Sequence, residues 1–284
     1  MTDDDALRPA PNTPGVTVVT DPADPRLGDY AALTDAALRK RYEHQAGVLI
    51  AEGPNPVRQL LRSATPLRSV LLSAERLDTY ADVVAAARTR QPPAPVYVTS
   101  REVLHAVVRF RLHQGIIACG ARRALPSATE VLTGARRIVV LEGLNDHENL
   151  GALFRTARGL GVDAVLLGPG CADPLYRRSV RVSMGHVLHV PFAGPMRMAT
   201  VFAALADHSA HVLALTPNPP SVELADVEVP PGRPVAVLLG AEGPGLTAAA
   251  LAGAHQRVRI PLDPMVDSLN VGVAAGIALA SLRG

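Results

Sequence analysis

Short apolar runs alternate with amphipathic stretches from Val48 onward, and this rhythm sets the reading of the whole chain. Residues 48–53 (VLIAEG), 69–73 (SVLLS), 95–100 (PVYVTS) and 115–122 (GIIACGAR) read as strands. Between them, 56–64, 77–90 and 101–110 carry apolar residues at helical spacing, and 33–47 (LTDAALRKRYEHQAG) predicts a preceding helix with Thr34 as N-cap. The pattern is a compact α/β sandwich over 28–123. Proline, serine and threonine in 124–135 predict a linker. The alternation then resumes over 136–284 with strands 137–143, 163–168, 187–192, 211–217, 234–240 and 257–262. Helices intervene at 149–160 and 200–209, a loop and helix at 173–185, and an alanine- and glycine-rich helix closes the chain. Strands spaced by helices imply a mostly parallel sheet covered on both faces. The fold class expected is therefore α/β, in two domains.

The acidic, proline-rich start reads as a disordered or extended tail over 1–27 rather than a leader. No apolar run approaches a membrane span, and Cys119 and Cys171 are too few for a disulfide framework, which points to a cytoplasmic protein with reduced thiols. Lys40 is the only lysine, so nearly all positive charge is arginine, whose forked donors suit phosphate. Aromatic residues make up 3% of the chain and tryptophan is absent, which argues against a sheet that stacks bases.

Candidate chemistry gathers in the second half. The strand ending at Leu239 runs into GAEGPG, where an open α/β sheet places its ligand crevice. It is neither a P-loop nor a dinucleotide fingerprint, because it lacks both spacings. The turn after 137–143 is polar, LNDHENLG, with Asn149 able to cap the next helix. In that helix Leu150, Leu153, Phe154 and Ala157 form the buried stripe, and Arg155 projects away from it. Asp267, Ser268 and Asn270 crowd the loop before the last helix. His147, His186 and His189 lack ligand spacing, so no metal is expected.

Three ordered blocks, NLGALFRTARGLGVDAVLL, LLGAEGPGL and IPLDPMVDSLNVGVAAGIAL, resemble the signatures of the SpoU (TrmH-like) branch of SPOUT RNA methyltransferases. EGPNPVRQLL and RFRLHQGIIAC in the first half resemble the L30e-like substrate-binding domain often fused to it. The resemblance implies a C-terminal trefoil knot, a homodimer, and S-adenosylmethionine held by Leu239, Gly240, Gly245, Ile260, Leu262 and Leu269. It implies 2′-O-methylation of an RNA ribose, with Arg155, Asn149, Glu242, Ser268 and Asn270 as the catalytic set. Arginine stays protonated in proteins, so Arg155 is expected to anchor phosphate and stabilise alkoxide charge rather than act as base. His147, Pro264 and Asp267 depart from the family's usual residues at their loop positions. The arginines 177, 178 and 181, with Arg109 and Arg111, are candidate RNA contacts. Ribosomal RNA of the large subunit is the expected substrate. A transfer-RNA ribose, a base nitrogen, or a non-catalytic assembly role are the alternatives.

Overall fold

The computed structural model describes residues 15–31, 33–34 and 42–282. Contacts divide the chain into two compact units, 1–123 with 175–188, and 124–174 with 189–284.

Unit 1 is built on a five-stranded sheet in the order β1-β4-β3-β5-β2, with β1 Val16–Val18, β2 Val48–Glu52, β3 Leu67–Ser73, β4 Val96–Thr99 and β5 Ile116–Ala121. β1, β4 and β3 run parallel, while β5 pairs antiparallel with both β3 and β2. Helices α1 (Pro54–Arg62), α2 (Ala81–Arg88) and α3 (Arg101–Val108) follow β2, β3 and β4 as the periodicity predicts. Ser100 caps α3 by accepting from the Val103 N–H, and Arg109 ends it in the left-handed region at φ 62°. The helix expected after Thr34 falls on residues 35–41, outside the described residues; residues 42–45 beyond them are helical.

Two expectations for this unit need correction. Residues 1–14 of the supposed tail lie outside the described residues, but 16–27 are folded: β1 extends the sheet, and Val19 and Leu27 are buried in the core. The strand is too short, and too closely followed by proline, to stand out in the pattern. The segment 175–188, expected within the second domain, packs with the first. Its helix α6 (Arg177–Val182; α4 and α5 follow below) lies on β2 and buries Ser179 and Val180 completely. Gly185 permits this: a Cβ there would stand 2.9 Å from Pro56 Cα and 2.7 Å from Gln59 Cβ.

Unit 2 carries a fully parallel sheet in the order β10-β12-β9-β11-β6-β7-β8. The strands are β6 Arg137–Leu141, β7 Ala164–Leu167, β8 Phe192–Ala193, β9 His211–Leu215, β10 Val222–Glu223, β11 Val235–Leu239 and β12 Gln256–Arg259. The linker expected over 124–135 is irregular and exposed only over 124–127, where unit 2 begins. Its remainder holds α4 (Ala128–Leu132), closed by a capping box between Ser127 and Glu130, and Val131, Leu132 and Ala135 join the core. The remaining helices are α5 (His147–Gly159), α7 (Met198–Asp207), α8 (Ala248–Gly253) and α9 (Val271–Ser281).

The topology positions the site. β6 and β11 are neighbours in register, Leu141 opposite Leu239, yet their onward connections depart to opposite sides of the sheet. A crevice opens where such parallel strands end and their connections diverge. α5 and α9 pack together, Gly272 facing Ala152 and Gly276 facing Thr156. Arg137 donates to the Leu160 carbonyl at 2.6 Å and to the Leu279 carbonyl, so one guanidinium closes the C-terminal ends of both helices. Among the described residues, no helix is long and apolar enough to cross a membrane.

Candidate active site

Helix starts bring the three sequence blocks together. Asp146, not Asn149, caps α5, accepting from the Glu148 and Asn149 N–H groups at 2.7 and 2.9 Å. That frees the Asn149 side chain one turn in. Asn270 caps α9, its Oδ1 accepting from Gly272 N at 3.0 Å and Val273 N at 3.4 Å. Its Nδ2 donates to Asn149 Oδ1 at 2.8 Å and to Glu242 Oε1 at 3.0 Å. One amide thus links the helix after β6, the loop after β11 and the start of the C-terminal helix.

Beside this cluster lies a pocket of ≈ 190 Å³. A single water needs only about 10–15 Å³, so the space suits a small-molecule ligand. Leu239, Gly240, Gly245, Ile260, Leu262 and Leu269 all line it, as do Glu242 and Ser268. Thr216, Pro217 and Asn218, from the turn after β9, complete a wall that the sequence did not flag. Gly240 is required by close approach: a Cβ would fall 2.4 Å from the Gly245 carbonyl carbon and 2.5 Å from Leu246 N. The loop folds back on itself there, with Gly245 N donating to Ala241 O at 3.0 Å.

A further positioning residue escaped the sequence reading. Glu142, 5% exposed at the end of β6, accepts from both Thr247 N and Thr247 Oγ1 at 2.9 Å. It ties the far end of the GAEGPG loop, and the N-cap of α8, to the neighbouring strand. Burying this carboxylate is tolerable because both bonds are charge-assisted. No local signal marks it, since its partner lies 105 residues away.

Arg155 stands apart. It is exposed on the face of α5 opposite the buried stripe and makes no hydrogen bond with Asn149, Glu242 or Asn270. The five candidate RNA arginines all fall in unit 1. Arg177 is engaged there, donating to Glu52 Oε2 at 2.9 Å and Leu33 O at 3.0 Å and lying over the Phe110 ring at 5.3 Å. Arg181 reaches Glu52 more loosely, at 3.4 Å, and is exposed, as are Arg109, Arg111 and Arg178. Cys171 places Sγ 3.4 Å from Leu141 O, and burial pushes its thiol up, which keeps it a protonated packing group. Among the described residues, no group of three or more His, Cys, Asp or Glu is placed to hold a metal ion.

Comparison with known proteins supplies an independent view. Residues 136–280 match the model of the SpoU rRNA Methylase family, and residues 50–122 match that of the RNA 2′-O ribose methyltransferase substrate binding domain. A Mycobacterium tuberculosis protein described as an uncharacterised tRNA/rRNA methyltransferase is 44% identical over 92% of this chain and 89% of its own. The 23S rRNA (guanosine(2553)-2′-O)-methyltransferase RlmP of Bacillus subtilis is 28% identical over 86% of this chain and 92% of its own. Among solved structures, an AdoMet-bound rRNA methyltransferase from Sinorhizobium meliloti superposes with a TM-score of 0.81 at 24% identity, covering 95% of this chain and 98% of that one, and so shares the fold. An RNA 2′-O ribose methyltransferase does so with a TM-score of 0.72 at 26% identity, covering 93% and 97%. With a family model spanning all three blocks of the site, the chain belongs to the SpoU rRNA Methylase family.

Proposed function

We propose that this protein is an S-adenosylmethionine-dependent enzyme that methylates a ribose 2′-hydroxyl in 23S ribosomal RNA. The observation that carries the reading is the Asn149–Asn270–Glu242 cluster, drawn from three distant segments and set against the crevice. Family membership and the name of the Bacillus relative support a large-subunit RNA substrate.

The crevice fits the cofactor. Leu239, Ile260, Leu262 and Leu269 offer apolar walls, and Gly240 lines the space without a side chain where the loop backbone at Gly245 and Leu246 comes close. An adenine and its ribose need flat apolar contact with fixed polar ends. When bound, S-adenosylmethionine supplies an electrophilic methyl group. The protein must then align the ribose oxygen and help its proton leave. Asn270 holds Asn149 and Glu242 in fixed positions for this task, and Ser268 adds a hydroxyl on the pocket wall. Arg155, exposed beyond the cluster, anchors the phosphate next to the target ribose and stabilises developing negative charge. Unit 1 engages the RNA through its arginines, and a ribosomal substrate goes with action in the cytoplasm.

Two features of the family belong to this reading. The first is a trefoil knot: after β12, outside β9, the chain returns to line the crevice with 260–271 and packs α9 on α5, which supports threading. The second is a homodimer through unit 2. Met265 is 90% exposed and Val266, Val273 and Ile277 share its C-terminal segment, an apolar surface that a second copy would cover.

The test is methyl transfer from tritiated S-adenosylmethionine to total RNA isolated from cells lacking the gene, followed by separation of the RNA species and nucleoside analysis. A 2′-O-methyl nucleoside in 23S rRNA is expected. A ring-methylated nucleoside, label confined to transfer RNA, or no label would each overturn the proposal.

A further inference from the structure

Unit 1 contains a second cavity that shares no residue with the crevice of unit 2. It measures ≈ 440 Å³ and opens between the turn Glu52–Pro56, the turn Phe110–Gln114, and Arg181 and Met184. We infer that this pocket takes an unpaired nucleotide of the substrate RNA, base inward. The inference rests on the proposed RNA substrate and assigns a place for it.

The lining divides by chemistry. Pro54, Pro56, Leu112 and Met184 give an apolar floor, whereas Arg111, His113 and Gln114 are exposed at the rim. Neither the Arg111 nor the His113 side chain makes a hydrogen bond or ion pair with any described residue. Their donors remain for a ligand. The Phe110 ring is held in place by the Arg177 guanidinium at 5.3 Å, itself fixed by Glu52 and the Leu33 carbonyl. The rim turn is pinned as well, because Tyr80 Oη donates to Gln114 O at 2.8 Å. Among the described residues Glu52 is the only acid in the lining, and both Arg177 and Arg181 pair with it. The described lining and its ion-pair partners are therefore cationic overall.

A paired duplex does not suit this shape, since its base faces are already stacked and its backbone offers nothing for an apolar floor. An unpaired base offers a flat apolar face together with donors and acceptors on its edge, and carries its phosphates alongside. Aromatic and arginine planes with polar groups around them are how single-stranded RNA is read. The volume lies within the range of sites for molecules of that size.

The test uses the full chain and an unmethylated 23S rRNA transcript. Ultraviolet cross-linking followed by peptide mass spectrometry is expected to place a nucleotide adduct on Phe110 or His113, from a position chemical probing shows to be unpaired. The double variant Arg111→Ala/His113→Ala, altering two exposed side chains, is expected to raise the Kd for the transcript about 10-fold with no change in Kd for S-adenosylmethionine. Adducts absent from 52–56 and 110–114, or an unchanged transcript affinity, would overturn the assignment. Methyl transfer by the wild-type chain is measured in parallel. Transfer without pocket adducts removes only this inference, whereas adducts without transfer remove only the proposed reaction.

Discussion

Asn270 uses every hydrogen-bonding position its side chain has. An amide offers two donors and two acceptor lone pairs; here the acceptors serve the start of α9 and the donors hold Asn149 and Glu242. The two halves of the group can be tested separately. Aspartate also caps helices well, but it would turn the donating end into a second acceptor facing the Glu242 carboxylate. Asn270→Asp should therefore leave thermal stability within about 1 kcal/mol of wild type while methyl transfer falls by about 100-fold or more. Activity retained in Asn270→Asp, with melting temperature lowered only in Asn270→Ala, would reduce the residue to a cap. Arg155 presents the opposite case, an exposed side chain outside the pocket lining. Arg155→Ala should lower turnover by about 10²–10³ and leave cofactor affinity, read by calorimetry, unchanged. A parallel collapse of that affinity would contradict a role confined to the RNA and the reacting oxygen.

At the level of elements, α5 and α9 form a pair fastened at both ends. Asn149 and Asn270 join their starts, and Arg137 closes their finishes. Small residues along the contact let the helices lie close. Much of this was legible in sequence: β2 to β7, β9, β11 and β12, the long helices, and the two polar helix starts all follow the apolar periodicity. What was not legible has physical reasons. β1 and β10 are edge strands of three and two residues, below the length at which alternation can be seen. The strand expected over 187–192 is a 3-10 turn at His186–His189 followed by the two-residue β8, because apolar periodicity does not separate so short a turn from a strand. Asn145, Asp146 and Asn149 compete as caps within five residues, and only geometry chooses Asp146. Glu142 is invisible because its meaning lies in a threonine more than a hundred positions away. The paired histidines at the start of β9 and β12 make a further prediction. Burial, then the nearby His255 and Arg233, lower the affinity of His211 for a proton, and both its ring nitrogens lack a hydrogen-bond partner in the structure. The unfolded chain takes up that proton near pH 6.5, and the folded chain only at lower pH. Stability from this site is thus complete above about pH 6.5 and lost as the pH falls toward the lowered value. His211→Gln should flatten the decline of melting temperature between pH 7 and 5.5; an unchanged slope would assign the decline elsewhere.

For the molecule as a whole, the proposed dimer and the proposed cofactor make separable claims. Ile277→Glu, on the exposed face of α9, should shift the chain from dimer to monomer in light scattering without unfolding it. A wild-type chain already monomeric at micromolar concentration would end the claim. Division into two units carries a different lesson, because family models treat 50–122 and 136–280 as successive modules, whereas 175–188 crosses that border to complete the first. Its helix fills one side of β2, and Gly185 sits against Pro56 and Gln59. Scissors at Arg123 would hence release no self-sufficient halves: the leading fragment would lack a lid over its sheet, and the trailing one would display Val180 and Val187 to water. Any grafting of a new recognition head onto this catalyst must therefore carry a matching fourteen-residue segment from inside the catalyst itself.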